Sequence, residues 1–341
     1  MEINMPDLGF HTEGLLIMMA VLGLSVWADL RIHKNKAEIS FRDALLGTLF
    51  WIALAIGFFF YIEWRHGPDY ASLYMAGYAL EKSLSVDNMM VFVAIFSAFG
   101  IRDQVLQHRI LYYGIIGAIL FRAVFIGLGT TLFGMSAWVE LLFAAVVLWS
   151  AWAIVKGGDD EEIEDYSNHW SVRLAKHAIP IFPRLLGKKL LISKQDADRA
   201  AEGEQNLIYS RRAKWLATPA FLCLVCIEVS DIVFSFDSVP AIIAVTREPF
   251  LVYAASIFAI VGLRSLYFLL AVAAKYLCHL EKAVAFVLVF VAFKLAVSGV
   301  EHISGIEFVD ITSQQSMWIV LSTLVVGVVT SVIFPEKGAA G

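Results

Sequence analysis

Three carboxylic acids lie inside one apolar run of this sequence. Residues 228–240 read EVSDIVFSFDSVP, and the neighbouring stretches LATPAFLCLVC and AIIAV consist of residues that suit a lipid environment. A charged side chain at the centre of a membrane-spanning helix costs about 2.5–3.5 kcal/mol, whereas an apolar residue contributes only about 0.3–0.6 kcal/mol toward insertion. Glu228, Asp231 and Asp237 are therefore candidates for a functional site.

A second segment of the chain repeats this order of polar residues. EKSLSVDN (residues 81–88) aligns with DIVFSFDS (residues 231–238), so that an acid, a serine, an aspartate and an asparagine or serine follow one another in both. Each segment is followed by an arginine in an apolar context, FRAVFIGL around Arg122 and LRSLYFLL around Arg264. Because ionisable residues are rare in membrane spans, the shared order indicates an internal repeat.

Helical spacing places the repeated polar residues on one face of each segment, since positions i, i+4 and i+7 share a face. The first stripe is Glu81, Ser85 and Asn88, and the second is Asp231, Ser235 and Ser238, extended by one turn to Glu228. Carboxylates, hydroxyls and an amide, with no histidine, form an all-oxygen donor set that suits hard cations such as Mg²⁺, Ca²⁺ and Mn²⁺. The stripes therefore predict a divalent-cation site in which the hydroxyls support the acids.

Asp87 and Asp237 lie off these stripes. Each follows the first acid of its copy by six residues, which turns it roughly 120° away from that acid in an unbroken helix. The two aspartates join the site only where the helix unwinds or where a third helix borders that side. Pro240 removes the N–H that would bond the carbonyl of Phe236, so a local opening of the helix is predicted near Asp237.

Basic residues also lie inside the apolar segments. They are Lys82, Arg122, Arg264 and Lys294. We predict that they compensate the charge of the acids when no cation is bound; a buried ion-pair network without a cation is the alternative interpretation. Several carboxylates crowded in a low-dielectric site cannot all stay ionised without a cation. Binding of a metal cation is therefore predicted to release protons from the acids.

The elements that position these residues are membrane-spanning helices. Of the 341 residues, 59% are hydrophobic and 17% are charged, and the mean hydropathy is +0.73. Apolar stretches near the ~20 residues needed to cross a bilayer occur at Gly14–Leu30, Ala44–Ile62, Leu73–Phe99, Leu111–Phe133, Ala137–Val155, Leu216–Ala244, Phe250–Ala273, Ala283–Val300 and Met317–Phe334. We therefore predict an all-α, polytopic helical membrane protein with about nine transmembrane helices.

The basic residues of the loops indicate the orientation. Alternate loops carry twenty Lys and Arg residues on one side and only Arg65 and Arg247 on the other, and the basic side is retained in the cytoplasm. This pattern predicts a multi-pass protein of the plasma (inner) membrane with its N-terminus outside and its C-terminus in the cytoplasm. The third and sixth spans then cross in opposite directions. The repeat is therefore predicted to have inverted topology, as in secondary transporters whose sites form near the midplane.

Three regions follow from this pattern. Residues 1–155 hold spans one to five, residues 156–215 form a cytoplasmic loop, and residues 216–341 hold spans six to nine. The loop begins with the acidic run GGDDEEIEDY and continues as WSVRLAKHAIPIFPRLLGKKLLI, whose alternating basic and apolar residues predict a helix on the membrane surface. No basic patch with interleaved aromatic residues points to nucleic acid, and the sequence contains no nucleotide-binding P-loop.

The two acidic motifs resemble those of a known family. EKSLSVDN, EVSDIVFSFDSVPAIIAVT and FAIVGLRSLYFLLA are similar to segments of the TerC family of integral membrane proteins, in particular its Alx-like branch of manganese exporters. The resemblance covers about Trp27 to Pro335 and implies the LysE-like transporter superfamily, export of divalent cations such as Mn²⁺, and an association with tellurium resistance. The family's acidic motif positions fall here on Glu81, Asp87, Asn88, Glu228, Asp231 and Asp237.

The sequence thus predicts a secondary transporter that exports divalent metal cations, Mn²⁺ first and Ca²⁺ as the alternative, by exchange with protons. The expected partners are the cation and the lipid bilayer, and neither a resident cofactor nor an enzymatic activity is expected. A cation channel and a tellurium-resistance membrane protein are the alternative functions. An intramembrane aspartyl protease also uses two membrane-embedded aspartates, but the motifs lack its G-x-G-D signature and hold too many acids for a dyad.

Overall fold

The computed structural model describes residues 12–32, 40–133, 135–157, 170–201, 213–273, 279–306 and 311–333, and most of them are helical. In chain order the elements are α1 (Thr12–Ile32), α2 (Phe41–His66), α3 (Pro68–Ala98), α4 (Gln104–Phe133), α5 (Ala137–Gly157), α6 (Trp170–Ala178), β1 (Leu191–Ser193), α7 (Lys194–Ala201), β2 (Trp215–Ala217), α8 (Pro219–Thr246), α9 (Pro249–Val261), α10 (Leu263–Ala273), α11 (Leu280–Ser304) and α12 (Ser313–Ile333).

Several of these helices are long and apolar enough to cross a membrane. Among the described residues six qualify, namely α2, α4, α5, α8, α11 and α12, and the pair α9 and α10, bent by 46°, makes a seventh when it is counted as one span. The prediction of an all-α polytopic membrane protein is therefore confirmed. The count of nine stays a prediction, because α1 is apolar only over Thr12–Leu24 and α3 carries Glu81, Lys82 and Asp87.

The charged helix α3 is the central helix of the bundle. It contributes buried side chains to three large apolar clusters, which it shares with α4, α8 and α10, with α1, α2 and α9, and with α5, α8, α11 and α12. Protein rather than lipid therefore surrounds most of α3. Its charged side chains can be satisfied by neighbouring helices, which is the condition under which ionisable residues persist inside a membrane.

Helices of the two halves of the chain pack reciprocally. α3 packs against α8, α4 packs against α8, α3 packs against α9, and α5 packs against α11. In the predicted repeat α3 corresponds to α8, and α4 corresponds to the α9–α10 pair. The contact of α4 with α8 therefore corresponds to the contact of α3 with the α9–α10 pair. The packing therefore agrees with the predicted repeat, and the inverted topology itself stays a prediction.

The helix that carries the second acidic motif is continuous. α8 begins at Pro219, a residue that suits the first turn because its missing N–H would be unpaired there. It remains helical through Asp237 and Pro240 to Thr246, so the predicted opening near Asp237 is wrong for this conformation. Pro240 is buried, and packing of the surrounding helices holds the segment although one backbone hydrogen bond is missing.

The loop between the two halves contains a small folded unit. β1 and β2 pair antiparallel, and Phe182, Ile192, Ala197 and Leu216 form an apolar cluster beside them. Of the segment predicted to form a surface helix, only α6 is helical, because Pro180 and Pro183 prevent its continuation. Its place on the membrane surface stays a prediction. The acidic run GGDDEEIEDY lies almost entirely outside the described residues.

A buried acid of α5 contacts residues of α11 and the residue that follows α8. Glu140, in the first turn of α5, is 3% exposed. Its carboxylate accepts a hydrogen bond of 2.6 Å from Ser298 and lies 2.8 Å from Nδ1 of His302, both on α11. The guanidinium of Arg247, which follows the last residue of α8, lies 3.5 Å from the same carboxylate. Glu140 thus links the ends of α5, α8 and α11.

We predict that Glu140→Ala lowers the free energy of unfolding by about 1–3 kcal/mol, because it leaves the partners of a buried carboxylate unpaired. The measurement is thermal unfolding of the purified protein in detergent. Glu13→Ala is the matched control, since the pair of Glu13 with Arg65 is exposed to solvent and such pairs contribute less than about 1 kcal/mol. Equal losses in the two variants would contradict a structural role for the Glu140 cluster.

Candidate functional site

A buried arginine joins the first acids of the two motifs. Arg122 of α4 is 1% exposed, and its guanidinium is in contact with the carboxylate of Glu81 on α3. Its Nη2 also donates a hydrogen bond of 3.2 Å to Oδ1 of Asp231 on α8. Glu81 and Asp231 are themselves buried. The three side chains form one ion-pair triad, the Arg122 triad, between three helices.

The Arg122 triad has hydrogen-bonding capacity that the described residues do not use. Three buried atoms of the triad have no hydrogen-bond partner among the described residues, namely Oε2 of Glu81, Oδ2 of Asp231 and Nε of Arg122. Buried polar atoms are usually paired, and exceptions mark sites that exchange ions, water or conformations. The free carboxylate oxygens are the atoms that a cation would require as ligands.

The serines of the two motifs occupy equivalent positions in the structure. The hydroxyl of Ser85 donates to the carbonyl of Glu81 at 2.7 Å, and the hydroxyl of Ser235 donates to the carbonyl of Asp231 at 2.8 Å. In this conformation both serines therefore bond to the backbone of the acid one turn earlier. Asn88 and Ser238, which complete the stripes, are also buried.

Asp87 and Asp237 form a second acidic group. Their carboxylates are close enough to interact electrostatically with each other. Asp237 also interacts with the hydroxyl of Ser150 on α5, so a third helix borders this side of α8, as one of the two conditions derived from the sequence requires. Oδ2 of Asp87 is buried without a hydrogen-bond partner among the described residues. The group adds two carboxylates near the Arg122 triad.

Glu228 is accommodated by a glycine on the neighbouring helix. It lies one turn before Asp231 on α8, and its carboxylate occupies the space in which a Cβ at Gly117 of α4 would stand. Oε2 of Glu228 is buried and has no hydrogen-bond partner among the described residues. Only glycine at position 117 allows the carboxylate to approach the α4 backbone so closely.

The remaining basic residues lie on other contacts. Nζ of Lys82 donates to the carbonyl of Ala259 on α9 at 3.2 Å, and Nζ of Lys294 donates to Ser316 on α12 at 3.1 Å. Arg264 lines a narrow, largely apolar cavity together with Asp231. Arg122 thus lies directly between motif acids, and the charge-compensating roles of Lys82, Arg264 and Lys294 stay predictions.

The predicted metal ligands are distributed along α3 and α8. Within the described ranges, no three Asp, Glu, His or Cys side chains come together in a group that could hold a metal ion. The guanidinium of Arg122 occupies the place between Glu81 and Asp231, while Glu228 and Asp237 lie on other turns of α8. Sequence reasoning missed two neighbours of the acids, Gly117 and Ser150, because neither forms part of a repeated or charged pattern.

These features define the chain as a helical integral membrane protein with buried acids and a buried arginine at its centre. Residues 66–338 match the sequence model of the family described as "Integral membrane protein TerC family". The chain belongs to this family, so the resemblance to the TerC family is confirmed.

Relatives with specific names support the same assignment. Proteins named tellurium resistance protein TerC are 44% identical to this chain over 335 residues in Serratia marcescens (97% of this chain and 96% of the relative) and 44% identical over 338 residues in Alcaligenes sp (98% and 97%). A protein of Photorhabdus laumondii that carries the name membrane-bound redox modulator Alx is 34% identical over 312 residues, 89% of each chain. No solved structure matches the chain.

We predict that Gly117→Ala destabilises the protein by about 1–3 kcal/mol, because the new Cβ overlaps a buried carboxylate. Thermal unfolding in detergent measures the loss. Gly57→Ala is the matched control, since a Cβ at Gly57, also within a helix, meets no neighbour. The double variant Gly117→Ala/Glu228→Ala should recover much of the loss, and no recovery would contradict the close contact of Glu228 with α4.

Proposed function

We propose that this protein is a secondary transporter that exports a hard divalent cation, Mn²⁺ first, from the cytoplasm in exchange for protons. In this proposal it lies in the plasma (inner) membrane with its N-terminus outside and its C-terminus in the cytoplasm. The observation that carries the proposal is the guanidinium of Arg122 between the carboxylates of Glu81 and Asp231. The positively charged side chain of Arg122 thus lies where an acid of each motif could bind a metal cation.

The two acids of the Arg122 triad can be neutralised in turn by the guanidinium of Arg122 and by a divalent cation. Two carboxylates buried without a counter-charge are strongly unfavourable, and Arg122 removes this penalty when no cargo is present. A divalent cation supplies the same compensation through direct coordination. Binding of cargo would therefore free Arg122, and departure of cargo would draw the guanidinium back, which links occupancy of the site to the packing of α3, α4 and α8.

The chemistry of the donors favours a hard cation as cargo. The acids, Asn88 and the motif serines offer oxygen ligands, which suit Mn²⁺, Ca²⁺ and Mg²⁺ better than softer metals. A tellurium oxyanion carries negative charge, and a site built from carboxylates repels it. The tellurium resistance for which relatives are named is therefore proposed to be an indirect consequence of cation transport.

We predict that Glu81→Gln and Asp231→Asn each reduce Mn²⁺ transport by at least about tenfold, because loss of one charged ligand removes more than about 1.4 kcal/mol of cation binding. Asp87→Asn and Asp237→Asn should have the same effect if the second acidic group shares the cargo. The measurement is Mn²⁺ flux in proteoliposomes. Glu63→Gln, at an exposed position on α2, is the control and should transport normally; normal flux in both Glu81→Gln and Asp231→Asn would exclude the triad as the cation site.

Proton exchange makes a separate prediction. Because hard-metal ligands must be deprotonated, Mn²⁺ binding should release protons, and the apparent affinity for Mn²⁺ should fall as the pH is lowered. Both quantities are measured on purified protein in weak buffer between about pH 5.5 and 8.5, a range that brackets neutral conditions. Binding of Mn²⁺ that is independent of pH and releases no protons would rule out proton exchange and leave exchange against another ion or uniport.

A further inference from the structure

Buried hydroxyls without partners gather in the half of the bundle where α8 ends. They are Tyr78 on α3, Ser238 and Thr246 on α8, and Ser256 on α9, and each is at most 5% exposed. Their oxygens have no hydrogen-bond partner among the described residues. A buried hydroxyl left unpaired costs about 1–3 kcal/mol, so several in one region indicate that water or a ligand reaches them in another conformation.

Two of these hydroxyls continue the acidic stripe of α8. Ser238, Ile242 and Thr246 follow Asp231 at helical spacing, so that the stripe extends from the acid toward the end of the helix. That end is the outer one in the predicted orientation, because α8 begins after the basic loop. From the Arg122 triad toward the outer side, the stripe thus consists of the carboxylate of Asp231, the hydroxyl of Ser238, the side chain of Ile242 and the hydroxyl of Thr246.

Ile242 lies on this stripe beside a glycine of α3. Its Cγ2 lies 3.4 Å from the position of a Cβ at Gly77, which is one turn before Glu81 on α3, and Ala255 of α9 lies 3.5 Å from the same position. Ile242 and Ala255 are both fully buried. The three helices α3, α8 and α9 therefore leave room for about one methyl group at Gly77, immediately beyond the first acid of the first motif.

The corresponding place on the other side of the triad contains a narrow cavity. In the sequence alignment that matches Glu81 with Asp231, Phe92 is equivalent to Ile242 and Ile227 is equivalent to Gly77. Phe92 and Ile227 line the narrow cavity that reaches Asp231 and Arg264. Of two crevices related by the predicted repeat, one contains a narrow cavity, and the other contains the buried side chain of Ile242.

We propose that the side chain of Ile242, which packs beside Gly77, is the outer gate of a closed cation exit path lined by the hydroxyls of Tyr78, Ser238, Thr246 and Ser256. This inference rests on the proposed function and adds the route by which a hard divalent cation leaves. Neutral hydroxyl oxygens bind such a cation more weakly than carboxylates do, which favours release after the cation has left the acids.

Accessibility of a single cysteine tests the gate without any metal. In a background in which Cys223, Cys226 and Cys278 are replaced by Ala, Ser238→Cys is exposed to a membrane-impermeant thiol reagent added to the outer side of intact cells. We expect slow reaction with Ile242 present. Ile242→Ala should raise the rate by about tenfold or more, because it removes packing that exists only in the closed state.

Two further variants separate gating from unfolding. Ile243→Cys is the matched control, because Ile243 is buried on the side of α8 that faces Gly129; its reaction should stay slow when Ile242→Ala is added. Gly77→Ala should act in the opposite direction and slow the reaction of Ser238→Cys, since the added methyl meets Ile242 and Ala255 at ordinary contact distances.

The outcomes test the proposed gate at Ile242 separately from the proposed transport of Mn²⁺. An equal rise at Ser238→Cys and Ile243→Cys, no effect of Ile242→Ala, or reaction of Ser238→Cys only from the cytoplasmic side would overturn the gate. The expected labelling pattern in a protein that does not transport Mn²⁺ would support the path and show that the cargo was wrongly chosen. Slower Mn²⁺ flux in Gly77→Ala would support both.

Discussion

The contact of Arg122 with Glu81 and Asp231 is the interaction on which the centre of this protein depends. Removing one member of a buried ion-pair network costs about 3–5 kcal/mol because the remaining charges lose their compensation. Three helices therefore have to keep their relative positions as long as Arg122 neutralises both acids. The same requirement explains why α3 lies at the centre of the bundle, since a helix with this many charged residues is unfavourable against lipid.

The two copies of the motif are chemically similar but lie in different surroundings. The motif serines bond to the backbone in the same way in both copies, whereas the two arginines differ. Arg122 contacts an acid from each half, and Arg264 lines a cavity beside Asp231. Of the crevices on the two sides of the triad, one contains a narrow cavity and the other contains the buried side chain of Ile242. Similar sequences in different environments are what the proposed alternation between two conformations predicts.

The sequence predicts the polar stripes and the all-helical membrane fold well, because helical spacing and hydropathy are local properties. It predicts that Asp87 and Asp237 leave the stripe, and it leaves open whether an unwound helix or a third helix brings them back. Tertiary packing decides this question: Ser150 of α5 lies beside Asp237, while α8 stays helical across Pro240 among the surrounding helices. The same packing places Glu228 against Gly117 and gives Arg122, rather than Lys82, the position between the acids. None of these choices leaves a periodic signal in one sequence.

The central claim is that a divalent cation and the guanidinium of Arg122 alternate between Glu81 and Asp231. Anomalous scattering from crystals of the protein grown with Mn²⁺ tests this most directly. The account predicts an anomalous peak bound to carboxylate oxygens of Glu81 and Asp231, with the Arg122 guanidinium displaced from at least one of them. A Mn²⁺ peak elsewhere, with Arg122 still in contact with both acids, would contradict it.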